Sequence, residues 1–97
     1  MVSRETILST LQALKEELRA KYSVKEIGVF GSIVRGEAGE QSDIDVLVEF
    51  SSPIGLFQFL ELEEYLGSRL GRKVDLVSKK ALRPRIGAHI LKEVVMV

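Results

Sequence analysis

Two short stretches hold most of the chemistry available to this sequence. Gly31-Ser32 closes an apolar run, and Ser42-Asp43-Ile44-Asp45 follows after a small polar loop, giving VFGSIVRGEAGEQSDIDVLVEF. A third acid, Asp75, lies inside a second apolar run, Lys73-Val74-Asp75-Leu76-Val77. Successive side chains on a strand alternate between faces, so Asp43 and Asp45 are expected to point the same way. Three carboxylates gathered at one place repel one another unless something positive lies between them. A divalent cation, which prefers oxygen ligands, meets that requirement.

Each feature alone has a plainer reading. Gly-Ser after a strand is commonly just a turn. Asp43 and Asp45 would also suit a solvated strand edge, and Asp43 with Ser42 could cap a turn. Asp75 is harder to dismiss, because a charge in an apolar strand is costly to bury unless it is paired or metal-bound. The argument for a site rests on the order and spacing of all three features together.

The elements that must position these residues follow from periodicity. Ile7, Leu8, Leu11, Leu14 and Leu18 recur at helical spacing behind Ser3, a suitable N-cap, and predict a helix from about Arg4 to Tyr22. Val24 to Phe30 reads as a strand broken by Gly31, and Ser32 to Gly36 as a helical turn whose free N–H groups face the strand end. Ile44 to Phe50 is a second strand, closed by Ser51-Ser52-Pro53. Leu56, Phe57, Leu60, Tyr65 and Leu66 mark a helix to about Leu70, stopped by Gly71. Val74 to Val77 is a third strand, and a last helix begins near Pro84 and carries Ile86, Ile90 and Leu91. The apolar tail Val94 to Val97 is either a short edge strand or a packed terminus.

A short loop makes the first two strands antiparallel neighbours and sets Gly31-Ser32 beside Asp43. The third strand follows a crossover helix, so it can run parallel to the second and bring Asp75 beside Asp45. The expected fold class is α/β (α+β): a small mixed β-sheet with helices mainly on one face. The carboxylates should then collect at the open edge of the sheet.

Bulk properties set limits. The 97 residues are 45% hydrophobic, which suits one compact domain over residues 1–97. Fourteen basic residues balance fourteen acidic ones, so no net field draws the protein to nucleic acid or an anionic membrane. Cysteine is absent, which excludes disulfides and thiolate metal sites. The N-terminus MVSRETILSTLQ is charged where a signal peptide is apolar, and no apolar run approaches the roughly 20 residues that span a bilayer. A soluble, cytoplasmic protein is the expectation.

With Gly31-Ser32, Asp43-Ile44-Asp45 and Asp75 in view, the chain resembles the minimal nucleotidyltransferase (MNT) domain of the DNA polymerase β superfamily. That pattern is Gly-Ser, then Asp-x-Asp, then a third acid on a later strand, carried here by GSIVRGEAGEQSDIDVLVEF and GRKVDLV. Competing phosphate-binding motifs fail. Gly36 follows Gly31 at P-loop spacing, but Glu37-Ala38 stand where Lys-Ser/Thr is required, and no G-x-G-x-x-G is present.

The resemblance implies transfer of a nucleoside monophosphate from an NTP, ATP first among them, to a hydroxyl, with release of pyrophosphate. Two Mg²⁺ ions about 4 Å apart would neutralise the attacking and leaving oxygens. Asp43 and Asp45 would hold the ion on the triphosphate. Asp45 and Asp75 would hold the second ion at the acceptor, where Asp75 could help remove the proton. Gly31 would let the backbone approach the phosphates, Ser32 would bond the terminal ones, and Arg35 would complete the charge balance.

The resemblance further implies a protein partner, a HEPN-type toxin, which such a chain neutralises as antitoxin by adenylylating a tyrosine, by binding, or by both. A non-catalytic antitoxin or nucleotide-binding module is the alternative, although all three acids are intact. No membrane association or direct nucleic-acid binding is implied. His89, the sole histidine, has no second His or Cys to complete a metal site. Phe57, Phe59 and Tyr65 suit core and helix surface better than a base-stacking platform, and Arg72 and Lys73 are ordinary cations before a strand.

Overall fold

The structure, a computed structural model, describes residues 3–37, 39 and 42–97. Ala38, Glu40 and Gln41, in the loop of the sequence motif, lie outside the described residues. The chain runs α1 (Arg4–Tyr22), β1 (Val24–Phe30), α2 (Ser32–Arg35), β2 (Ile44–Phe50), α3 (Leu56–Leu70), β3 (Val74–Ser78), a 3₁₀ turn (Lys79–Ala81), α4 (Pro84–Glu93) and β4 (Val95–Met96). Local chemistry sets these boundaries. The Ser3 hydroxyl accepts the Thr6 N–H at 3.2 Å and caps α1. Gly71, at φ 73°, closes α3 in the left-handed conformation. Pro84 opens α4, where its missing N–H costs nothing.

The strands form one mixed sheet in the order β3-β2-β1-β4. β1 and β2 are antiparallel, with Phe30 opposite Asp45. β2 and β3 are parallel, with Asp45 opposite Asp75. The apolar tail resolves as β4, an edge strand antiparallel to β1. Gly28 permits that last pairing at close range, since a Cβ there would stand 2.6 Å from both Met96 Sδ and the Val95 carbonyl oxygen.

Strand alternation divides the sheet into two unequal faces. Ile27 and Val29 of β1, Ile44, Val46 and Val48 of β2, and Val74 and Leu76 of β3 join the large core under α1 and α3. From α1, Ile7, Leu11, Leu14 and Leu18 reach into it, and from α3, Leu62 and Leu66. The opposite face holds a small cluster of Phe30, Leu47 and Ile90, with Val77, Leu82 and Val94 packed against it. Helices therefore lie mainly on one face, and α4 alone crosses the other. By the same alternation Asp45 and Asp75 belong to the α4 face, the one that α1 and α3 leave open. Among the described residues, no helix is long and apolar enough to cross a membrane.

Candidate active site

The site begins where β1 ends. Gly31 follows Phe30 with φ 79° and ψ −152°, a conformation that side-chain-bearing residues rarely adopt. A Cβ at Gly31 would drive into the Asp45 carboxylate. The chain must turn tightly here to start α2, and Gly31 O accepts the Val34 and Arg35 N–H groups at 3.1 and 3.2 Å. Gly31 sits against Asp45 rather than beside Asp43, correcting the sequence expectation. The reason is register: Phe30 pairs with Asp45, while Asp43 precedes the first residue of β2.

Asp45 is half-buried in the sheet interior, and Asp75, directly across the β2–β3 ladder, is exposed on the edge strand. Asp43 is exposed just before β2. Burial pushes the Asp45 carboxyl above its usual range, and the negative charges of Asp75 and Asp43 push it further. Arg35 acts in the opposite direction, and Glu93 adds a fourth negative influence. Asp45 is thus the electrostatic centre of an acidic set. Among the described residues, no three acidic or histidine side chains are drawn together tightly enough to ligate one ion.

Ser32, the first residue of α2, is half-buried beside this turn. Arg35 Nε lies 2.9 Å from Glu37 Oε2, and its Nη1 lies 2.6 Å from Glu93 Oε1. Both of these partners are carboxylates of the protein itself. Glu93, from the end of α4, also accepts the Gly31 N–H at 2.6 Å through the same oxygen. The sequence offered one faint signal for Glu93: an acid in the last turn of a helix, where the dipole disfavours negative charge.

The residues set aside from the sequence have ordinary surroundings. His89 is 78% exposed, with Nε2 3.6 Å from Glu93 Oε2. Arg72 donates to the Gly39 carbonyl at 2.8 Å. Phe59 packs edge-on against Phe50 at a centroid distance of 6.2 Å, whereas Phe57 is 86% exposed. What remains is an oxygen-only acidic set beside a glycine turn. That combination can hold a hard cation and, through it, a polyanion.

Comparison with known proteins agrees with this fold. The nucleotidyltransferase domain family model matches residues 11–97. A Thermococcus cleftensis protein named protein adenylyltransferase MntA is 54% identical over 97 residues, covering 100% of this chain and 98% of the relative. A solved minimal nucleotidyltransferase superposes with a TM-score of 0.74 at 40% identity, over 91% of this chain and 93% of that one. A chain from a solved complex of a tri-AMPylated Shewanella oneidensis HEPN toxin with an MNT antitoxin shares the fold with a TM-score of 0.68 at 21% identity. That match covers 93% of this chain and 70% of the other. The chain belongs to the nucleotidyltransferase domain family and is a nucleotidyltransferase.

Proposed function

We propose that this nucleotidyltransferase, acting as one minimal domain, moves AMP from ATP to a hydroxyl of a protein partner, with divalent cations held by Asp43, Asp45 and Asp75. The observation that carries the reading is the register placing Asp45 opposite Asp75, with Gly31 pressed against Asp45. The donor set fits Mg²⁺. It is made of carboxylates only, and burial together with the charges of Asp75 and Asp43 already raises the proton affinity of Asp45. The name of the 54%-identical relative supports AMP as the transferred group and protein as the acceptor.

Each residue then has a task. The Gly31 turn lets the backbone approach the triphosphate, and the Ser32 hydroxyl donates to its terminal oxygens. When bound, the cations neutralise the triphosphate and polarise the attacked phosphorus. Asp75, exposed on the edge strand, accepts the acceptor's hydroxyl proton as that oxygen bonds to the α-phosphorus. The bond to pyrophosphate breaks, and pyrophosphate leaves with its electron pair. An open, edge-placed acid suits an acceptor too large to enter a cleft. We propose a HEPN-type toxin as that acceptor, the partner class seen in the Shewanella complex of the same fold.

Intact-mass spectrometry of a HEPN-type partner incubated with this protein, ATP and Mg²⁺ tests the reading. The expected result is a gain of one or more AMP masses, lost when EDTA is added. Asp45→Asn should lower the transfer rate by about 10³-fold or more, through lost charge stabilisation of the transition state. The variant should still bind the partner. An unmodified partner, or an Asp45→Asn protein that neutralises the toxin in cells as well as wild type, would replace transfer with occlusion.

A further inference from the structure

Glu93 is an acid at this site that lies far in sequence from the Gly-Ser and aspartate motifs. Its side chain is only 13% exposed, although it stands at the end of α4, where a negative charge is disfavoured by the helix dipole. Such a placement needs compensation, and Glu93 Oε1 finds it in two donors. The Gly31 N–H and Arg35 Nη1 each lie 2.6 Å away. Glu93 Oε2 is left facing His89 Nε2 at 3.6 Å.

We propose that Glu93 is a positioning residue for the nucleotide site, fixing the Gly31-Ser32 turn and holding Arg35 beside it. The inference rests on the transfer reading for its consequence, and on geometry alone for the positioning itself. Gly31 is gripped from three sides. Its carbonyl starts α2, its Cα faces the Asp45 carboxylate, and its N–H has left the β1 ladder for Glu93. At φ 79° a glycine has wide conformational freedom, so the turn is defined only as well as its contacts define it. Of these contacts, the bond to Glu93 is the one that fixes the plane of the Phe30–Gly31 peptide. The same carboxylate oxygen restrains Arg35, which would otherwise be held by Glu37 alone, a neighbour on its own loop. Glu93 thereby ties α4 to the end of β1 across 62 residues of sequence.

The test combines a structural and a kinetic readout on the intact protein. Amide hydrogen exchange by NMR, without nucleotide, should show Gly31 at least about tenfold less protected in Glu93→Ala, as one charge-assisted hydrogen bond is removed. Steady-state transfer with ATP, Mg²⁺ and the protein acceptor should show KM for ATP raised about tenfold with kcat changed far less. Glu93→Gln, which keeps a carbonyl oxygen for the Gly31 N–H, should recover to within about threefold of wild type in both readouts. Unchanged Gly31 exchange would overturn the proposal. So would a KM below that of wild type, which would make Glu93 an anion standing in the phosphates' place. An activity loss that merely tracks lower thermal stability, with Gln no better than Ala, would reduce Glu93 to a structural contact. An inactive wild type would fail the transfer reading instead, and the exchange measurement would still decide the positioning.

Discussion

At the scale of single residues, Asp45 is the costly one. It is half-buried, and three other acids raise its proton affinity against a single opposing arginine, Arg35. A carboxyl whose folded-state pKa lies above its unfolded value binds its proton more tightly in the native protein. The native state therefore loses stability as pH rises through that window, and regains it as pH falls towards 3.8, the ordinary aspartate value. Asp45→Asn keeps the shape and removes the charge. Without divalent cations it should melt above wild type near neutral pH, with the gap closing as the pH is lowered towards 4. Thermal melts in EDTA across that range would show it. A lower melting temperature for Asp45→Asn at neutral pH would mean that packing, not repulsion, dominates at this position. The substitution proposed to remove transfer should thus stabilise the cation-free fold, a trade expected where a site holds like charges together.

At the scale of elements, the turns and caps separate stability from function. Gly31 and Gly71 both have positive φ, at 79° and 73°. A Cβ at Gly71 would meet nothing within 4 Å, whereas at Gly31 it would collide with Asp45. Gly71→Ala should cost about 1–2 kcal/mol, the left-handed penalty alone, and leave transfer intact. Gly31→Ala should cost more and also abolish transfer, because relief of the clash moves Asp45. Chemical denaturation and transfer rates, measured side by side, would separate the two; equal losses of activity would remove Gly31 from the site. Nearly all of these elements were legible in sequence. Apolar periodicity bounded α1, α3 and the strands, and β3 extends one residue beyond its expected end, to Ser78. The Asp45–Asp75 pairing followed from loop lengths. Two features were not legible. Ile86, Ile90 and Leu91 mark α4 as amphipathic without saying which sheet face it covers, and the structure seats Ile90 on Phe30 and Leu47. Glu93 has no local signature, because its partners Gly31 and Arg35 lie 62 and 58 residues away. Contacts of that separation depend on how α4 crosses the sheet, which no spacing rule encodes.

At the scale of the whole molecule, the sheet divides its work between faces. The large core under α1 and α3 supplies most of the apolar burial, and the α4 face is left to combine a small cluster with the acids. Asp45 is therefore held by a central strand with neighbours on both sides, while Asp75 stands on β3, which pairs only with β2 among the described residues. An edge strand offers a row of unpaired backbone groups to any other extended chain, and natural sheets guard such rows with charge. In β3 the guards are Asp75, the one charged residue in Val74-Asp75-Leu76-Val77-Ser78, and Glu63 of α3, whose carboxylate accepts the Leu76 N–H at 2.9 Å. Asp75, proposed above to accept the proton, should thus share with Glu63 the task of keeping copies of this protein from joining edge to edge. Replacing Asp75 with an apolar residue would leave a strand rich in valine and leucine with no charge of its own, guarded only by Glu63 at Leu76 and by the flanking Lys73 and Lys79. Asp75→Val should sediment as a concentration-dependent mixture of monomer and larger species, while Asp75→Lys, expected to lose transfer equally, should match wild type. If both variants sediment like wild type, the solubility of this edge has another source.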